Sequence, residues 1–303
     1  MRGQIAQTGR AALAAEVKLG IGLFVLPLLL AGGLALGVGA LLAEGSGFPV
    51  RTEVFGMALA GLAALMVAAL CGREAYAPGV GRWPALRNAT PAFWRYLAYG
   101  CLSAAALLGL MLQFVWHTGD FTLPLGAMGV LVGYFSFAPP LAWYQRPGGE
   151  ILPALGLGLL PVAAGYYLQG GHLISEILLY GLPLTFSAFN LFLLQGLPDP
   201  GRPSSLSPAG LGSRLRPVAM GLIYTLVNIL LILALVFCIF FPPHNLGMRP
   251  WLWLLILVAL VSQELIKRRA YLNEDRIILL IYLNTGLHLG MNLVFILGLW
   301  GRL

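Results

Sequence analysis

Charged residues are scarce in this chain. Lys, Arg, Asp and Glu together make up 10% of its 303 residues, whereas about 25% is usual in soluble domains. Hydrophobic residues make up 59%, and the mean hydropathy is +0.86. This composition excludes a soluble globular domain, a disordered chain and a coiled coil. It indicates a protein that crosses the bilayer several times, because each crossing needs about 20 apolar residues.

Cysteines and the common catalytic motifs are also few or missing. The three cysteines, Cys71, Cys101 and Cys238, lie far apart in or beside apolar runs, which excludes a disulfide framework and a C-x-x-C metal or redox site. The chain has no G-x-S-x-G, Walker or H-E-x-x-H motif, and it has only 11 acidic residues. An enzyme with this sequence must therefore use a sparse active site.

Nine apolar windows predict an all-α bundle of nine transmembrane helices, in a single domain over residues 1–303. The windows are 20–42, 54–71, 97–116, 121–139, 151–168, 173–195, 217–241, 251–266 and 277–299. Two long loops lie between them, over 72–96 and 196–216, and both emerge on the same side of the membrane. Because loops often carry function, we expect the active side of the protein there.

Basic residues collect on that same side. Fifteen of the 18 lie in the N-terminal segment or after even-numbered helices: Arg2, Arg10, Lys18, Arg73, Arg82, Arg87, Arg95, Arg146, Arg202, Arg214, Arg216, Lys267, Arg268, Arg269 and Arg276. Only Arg51, Arg249 and Arg302 lie on the other side. The positive-inside rule therefore places the N-terminus and both long loops in the cytoplasm, and we expect an integral protein of a bacterial plasma membrane. Since the positive charges follow the topology, we expect no nucleic-acid partner.

Four short strings occur in order between Gly133 and the C-terminus. They are Gly133-Tyr-Phe-Ser-Phe-Ala-Pro-Pro-Leu141, Gly148-Gly-Glu150, Gly165-Tyr-Tyr-Leu-Gln-Gly170 and Asn292-Leu-Val-Phe-Ile-Leu-Gly298. With the nine helices and the two long loops, these strings resemble the UbiA superfamily of intramembrane prenyltransferases. Within it, they resemble the 1,4-dihydroxy-2-naphthoate polyprenyltransferases of menaquinone synthesis. The resemblance implies a UbiA-type bundle that binds a polyprenyl diphosphate.

The resemblance also implies two Asp-rich motifs, one after the second helix and one after the sixth, whose paired carboxylates hold Mg²⁺ against the diphosphate. This chain departs strongly from that pattern. Glu74 is the sole carboxylate over 69–79, and Asp199 is the sole carboxylate over 194–205. We expect Glu74 and Asp199 to be the remaining catalytic and Mg²⁺-binding residues of a weakened site. The alternative is that both are solvated loop residues.

Further substrate-binding residues are predicted on the same side of the membrane and within the helices. The predicted set is Lys18, Arg73, Tyr134, Arg146, Asn190, Gln195, Arg202, Asn284, His288 and Asn292. The cations would hold diphosphate oxygens, unless they serve only as topology signals. Asn284, His288 and Asn292 recur every four residues on one helix face, so they would line a polar cavity, unless they only form interhelical hydrogen bonds.

Two hypotheses about function remain open. The first is a divergent prenyltransferase that moves a polyprenyl group to an aromatic quinone precursor or a lipid-like acceptor. The second is an inactive UbiA-type protein that binds a quinone, a carotenoid or another isoprenoid lipid, or that scaffolds partners in a membrane complex. A secondary transporter is less favoured, because the sequence shows no internal repeat.

Overall fold

The computed structural model describes residues 26–76, 90–146, 148–195, 217–240, 249–272 and 274–301, and every regular element in them is a helix. The helices are α1 (Leu26–Gly45), α2 (Thr52–Tyr76), α3 (Pro91–Leu110), α4 (Thr122–Val132), α5 (Tyr134–Phe137), α6 (Ile151–Leu157), α7 (Leu159–Gly170), α8 (Glu176–Gln195), α9 (Pro217–Phe240), α10 (Arg249–Lys267) and α11 (Glu274–Trp300). A π-helical turn, Met111–Val115, extends α3.

Eight helical segments of the described chain are long and apolar enough to cross a membrane, and Thr122–Phe137 is a shorter apolar segment. The shorter segment and one of the eight spans are interrupted helices, since α4 and α5 meet at Gly133 and α6 and α7 meet at Gly158. At the break between α6 and α7, the Leu159 amide donates a hydrogen bond to the Thr185 hydroxyl oxygen of α8, with 2.9 Å between N and O. This bond satisfies a backbone donor that would otherwise have no partner within the membrane. The predicted all-α, nine-helix membrane bundle is confirmed.

One predicted boundary differs in a way that matters for function. The loop predicted over 72–96 is shorter, because α2 continues to Tyr76 and the N-terminal turn of α3 begins at Pro91. Arg73 and Glu74 therefore lie in the last turns of a helix and not in a loop. Charged side chains are tolerated there because they can extend to the interface.

Helix α8 lies in the middle of the bundle, with 78% of its apolar window buried. One large buried cluster joins it to α1, α7, α9, α10 and α11, and in that cluster the rings of Tyr180 and Phe295 meet edge to face at 5.2 Å between centroids. Helices α2 and α3 pack together on the other side of the bundle, where Ala68, Cys71, Trp94 and Ala98 share a buried cluster. An apolar cavity lies between these two groups of helices.

Arg51 joins three parts of the chain at the end of the bundle away from Arg73, which we call the outer end. Its guanidinium donates to the carbonyl oxygens of Leu168 at 2.7 Å and Trp116 at 3.3 Å. Its backbone amide donates to Gln169 Oε1 at 2.9 Å. These bonds fix the start of α2 against the ends of α3 and α7.

Replacing Arg51 with methionine is expected to lower the free energy of unfolding by about 2 kcal/mol, because bonds from a charged donor are lost. The midpoint of thermal unfolding in detergent measures this effect. Lys267→Met, which removes an exposed cation at the end of α10, is the matched control and should leave the midpoint unchanged. Equal midpoints for the two variants would contradict a structural role for Arg51.

Candidate functional site

A cavity of about 190 Å³ lies between α1, α2, α3, α4, α6 and α7, with Phe192 of α8 at its wall. Its lining is almost entirely apolar and includes Leu28, Leu36, Leu62, Leu65, Met66, Leu108, Leu112, Leu125, Leu157 and Leu160. On α2 the lining residues extend from Ala58 to Arg73, a distance of about 22 Å at 1.5 Å per residue. A narrow apolar space of this length suits a hydrocarbon chain.

Arg73 lies at one end of this cavity, which we call the Arg73 end. Among the described residues that line the cavity, Arg73 alone carries a charge. It is half-buried in the last turn of α2. A guanidinium at the end of an apolar cavity suits a ligand with an apolar tail and an anionic head, because the planar group pairs with two phosphate or carboxylate oxygens at once.

Tyr144 lies close to Arg73, in a short 3₁₀ turn that follows α5. Its ring lies 5.2 Å from that of Phe137, and its hydroxyl is 3.5 Å from the carbonyl oxygen of Phe192. Burial raises the pKa of the Tyr144 phenol above its ordinary value; the Arg73 charge acts against this shift and the Glu150 carboxyl adds to it. The phenol therefore stays protonated at neutral pH and remains a hydrogen-bond donor beside the Arg73 end.

Glu150 is a fully buried carboxyl next to this site, at the start of α6. Two glycines determine its position. Gly148 has a φ of +79°, which favours glycine, and a Cβ on Gly149 would lie 2.6 Å from the Tyr144 Cα. Glu150 was not predicted as a site residue. It ends the string Gly148-Gly-Glu150, and an acidic residue directly after two glycines was the signal that could have identified it.

Glu74, the predicted catalytic carboxylate, follows Arg73 on α2 and is half-buried. It does not line the cavity. Within the described residues no group of three or more His, Cys, Asp or Glu side chains could hold a metal ion. Mg²⁺ needs about six oxygen ligands in octahedral geometry. The part of the chain that the structure describes therefore does not fit a Mg²⁺ site; the other predicted ligand, Asp199, lies outside it.

The structure separates several of the other predicted binding residues from the cavity. Tyr134 packs against Gly72 and is 4% exposed, but it does not line the cavity. The Arg146 guanidinium lies 5.8 Å from the Trp143 ring centroid, a cation–π geometry. Gln195 ends α8. Lys18 and Arg202 lie outside the described residues.

The predicted polar residues in the middle of the transmembrane helices, Asn190, Asn284, His288 and Asn292, do not line this cavity either. Asn284 accepts a hydrogen bond from the Tyr224 hydroxyl at 2.9 Å and donates one to the Leu280 carbonyl oxygen at 2.8 Å, so it joins α9 to α11. Asn292 donates to the carbonyl oxygen of His288 at 2.9 Å. Asn190 and His288 are buried in the bundle. Asn284 therefore forms an interhelical hydrogen bond, which was the predicted alternative to lining a cavity.

Comparison with known proteins bears on the fold. No family model matches the chain, and no curated protein matches it. The structure is similar to the apo structure of a UbiA homolog from Aeropyrum pernix K1, with a TM-score of 0.65 at 15% sequence identity. The match covers 89% of this chain and 97% of that chain. At this identity the likeness shows the fold, so the predicted UbiA-type bundle is confirmed.

Proposed function

We propose that this chain is a divergent intramembrane prenyltransferase that binds a polyprenyl diphosphate in the cavity. The observation that carries the proposal is the long apolar cavity with the Arg73 charge at one end. The isoprenoid tail would bury its apolar surface along α2, and the diphosphate would pair with the Arg73 guanidinium. Membrane lipid would surround the bundle, and the isoprenoid tail of the substrate would lie in this apolar medium before it binds.

The reaction that fits this arrangement begins at the allylic carbon. The C–O bond to the diphosphate breaks, its electron pair leaves with the diphosphate oxygen, and an allylic cation remains. Arg73 stabilises the negative charge that develops on the leaving group. Phe137 and Phe192 line the cavity, and the negative faces of such rings attract a cation. An aromatic carbon of the acceptor then bonds to the allylic cation, and the proton that this carbon loses passes to the departing diphosphate.

The acceptor is proposed from the sequence strings. Their resemblance to 1,4-dihydroxy-2-naphthoate polyprenyltransferases favours an aromatic quinone precursor in a bacterial plasma membrane, and a lipid-like acceptor is the second choice. Glu74 and Asp199 stay the proposed ligands of a Mg²⁺ ion, which would neutralise diphosphate charge when bound. No step above depends on that ion, because the described residues do not form its site.

A second function is favoured by one observation, the lack of a metal-binding group among the described residues. Without a metal the cavity would still bind an isoprenoid tail. The protein would then be an inactive UbiA-fold protein that holds a quinone, a carotenoid or another isoprenoid lipid, or a scaffold for partners in a membrane complex. Such a protein needs the cavity but no leaving-group chemistry.

Pyrophosphate release distinguishes the two functions. Purified protein with Mg²⁺, prenyl diphosphates of several lengths and dihydroxynaphthoate is expected to release pyrophosphate above the background without protein. Glu74→Gln should reduce the rate at least tenfold, because the proposed Mg²⁺ ligand is lost and the ion could no longer neutralise diphosphate charge. Glu53→Gln, an exposed carboxylate in the first turn of the same helix, should stay within twofold. A parallel assay with a chelator shows whether Glu74 acts through a cation.

Absence of release with every chain length and acceptor would contradict the prenyltransferase proposal. If such a protein also co-purified with one equivalent of an isoprenoid lipid, and if Glu74→Gln retained that lipid, the inactive lipid-binding function would be supported instead.

A further inference from the structure

We propose that Glu150 is a positioning residue, whose buried carboxylate pairs with the Arg73 guanidinium and holds it at the end of the cavity, where the head of the ligand binds. The reaction proposed above does not use Glu150. The inference rests on the proposed function for its ligand, a prenyl diphosphate. The pairing of the two side chains can also be tested on the protein without ligand.

Glu150 lies on the side of α6 that faces the cavity. Its φ of −71° and ψ of −19° are helical, so the helix pattern extends back to it. Pro153 and Leu157, three and seven residues later, line the cavity, and residues at these spacings share one helix face. Because α7 reaches the outer end, the start of α6 lies at the Arg73 end. Glu150 therefore extends the lining face of α6 by one turn toward Arg73.

Tyr144 connects Glu150 to Arg73. The loop before Glu150 folds back on the Tyr144 backbone, because a Cβ on Gly149 would lie 2.6 Å from the Tyr144 Cα. The Tyr144 ring also packs beside Phe137, which lines the cavity together with Arg73. The charges of Arg73 and Glu150 both act on the Tyr144 phenol, in opposite directions. The two opposite charges therefore belong to one site.

The burial of Glu150 requires a counter-charge. An unpaired carboxylate is costly to remove from water, and in a membrane bundle such groups pair with one another. Glu150 is fully buried. Among the Arg and Lys side chains that the structure describes, only Arg51 and Arg73 are not exposed, and Arg51 lies at the outer end. Arg73 is therefore the cation available to Glu150 inside the bundle.

Helix capping does not explain this acid. Glu150 occupies the N-cap position of α6, but its side chain makes no capping hydrogen bond. Serine, threonine, aspartate and asparagine are the usual residues there, because their short side chains reach the first helix amides. The longer Glu150 side chain is thus left to act on another group, and Arg73 is the group of opposite charge at this end of the cavity.

Pairing with Glu150 leaves Arg73 able to bind a ligand. A guanidinium carries five N–H donors on a planar group, so one edge can bind the carboxylate while another edge binds phosphate oxygens. Without the carboxylate, the Arg73 side chain could extend from the last turn of α2 to the membrane interface, as long basic side chains do. Glu150 would keep the positive charge at the cavity.

Two ligands with the same tail test the positioning role. They are a non-hydrolysable prenyl diphosphate analogue of four isoprene units and the matching prenyl alcohol. Glu150→Leu, which keeps the size but removes the charge, should weaken binding of the analogue at least fivefold and leave binding of the alcohol within twofold. In an Arg73→Gln background, Glu150→Leu should change the affinity for the analogue less than twofold, because no guanidinium remains to be positioned. Glu176→Leu, at an exposed acid in the first turn of α8, is the control and should leave both affinities unchanged.

Thermal unfolding in detergent tests the pairing without ligand. Removing one partner of a buried ion pair leaves the other charge uncompensated, which is more destabilising than replacing both partners with apolar residues. Arg73→Leu should therefore lower the unfolding midpoint, and adding Glu150→Leu to it should recover part of the loss. Adding Glu176→Leu to Arg73→Leu should recover nothing.

Three results would overturn the inference. One is a Glu150→Leu protein that binds the analogue within twofold of the unmodified protein. Another is equal weakening of the analogue and the alcohol, which would mean that Glu150 only supports the shape of the cavity. The third is a double variant, Arg73→Leu with Glu150→Leu, that unfolds no later than Arg73→Leu alone.

The same double variant keeps the test decisive in two further cases. If Glu150→Leu alone gives no folded protein, a folded double variant supports the pairing and an unfolded one overturns it. If the unmodified protein does not bind the analogue, the proposed function fails. The recovery of the unfolding midpoint then decides separately whether Glu150 and Arg73 are paired.

Discussion

Replacing Arg73 with glutamine weakens the binding of a non-hydrolysable prenyl diphosphate by between tenfold and a hundredfold. The expectation follows from the position of Arg73, whose charge is the only one among the described residues lining the cavity. A hydrogen bond to a charged partner contributes about 1.5–3 kcal/mol, and about 1.4 kcal/mol corresponds to tenfold in affinity. Equilibrium binding in detergent or nanodiscs measures the change.

The ligand's head and tail can be tested separately. The matching prenyl alcohol has the same tail but no anionic head, so Arg73→Gln should change its affinity by less than twofold. Arg73→Lys should lie between the unmodified protein and Arg73→Gln, because it keeps the charge but loses the planar, two-pronged donor. Arg95→Gln removes an exposed cation of α3 and should leave both affinities unchanged.

A different pattern would contradict the role of Arg73. If Arg73→Gln and Arg95→Gln weaken diphosphate binding equally, the cations act through the general surface potential, as topology signals would. If Arg73→Gln weakens the binding of alcohol and diphosphate equally, the side chain supports the shape of the cavity and does not contact the head group.

The helices were predictable because the bilayer restricts what a spanning segment can be. Backbone groups in lipid must pair within the segment, so nine long apolar windows in this sequence indicated nine helices. The inward face of each helix was not predictable. On α2, Ala58, Leu62, Ala69 and Arg73 share the face that lines the cavity, but Leu59 on another face is 39% exposed. Lipid and cavity are both apolar, so leucine occurs on either face.

Only part of the candidate site could be predicted from the sequence. Arg73 could be identified because it lies beside Glu74 on the predicted cytoplasmic side, where the resemblance implies a diphosphate site, and its role became specific when the structure placed it on the cavity. The polar residues of α11 share one face, so they were predicted either to line a cavity or to form interhelical hydrogen bonds. In the structure Asn284 bonds to Tyr224, because a polar side chain within a helix bundle can be satisfied by a neighbouring helix. Sequence spacing does not distinguish these two partners.

A methyl group added at Gly39 is expected to lower the free energy of unfolding by about 3 kcal/mol, the upper part of the usual range for overpacking. The Cβ of Gly39→Ala would overlap the carbonyl oxygen of Val162 and lie 2.7 Å from the Tyr166 amide nitrogen. Both atoms belong to the backbone of α7, so no side-chain rotation relieves the overlap. Gly165, on the facing helix, has the same relation to the Leu36 carbonyl oxygen, and Gly165→Ala should destabilise the protein similarly.

Gly45→Ala is the matched control, because it adds the same methyl group to the same helix where a Cβ meets nothing within 4 Å. Thermal unfolding in detergent should give a much lower midpoint for Gly39→Ala than for Gly45→Ala, and equal midpoints would contradict close backbone packing.

The substitution at Gly39 should also affect ligand binding in the cavity. Leu36 of α1 and Ala164 of α7 line the cavity beside this contact, so helices forced apart would widen the wall along the tail. Below its unfolding temperature, Gly39→Ala should therefore bind both the prenyl diphosphate and the prenyl alcohol more weakly, whereas Arg73→Gln affects the diphosphate alone.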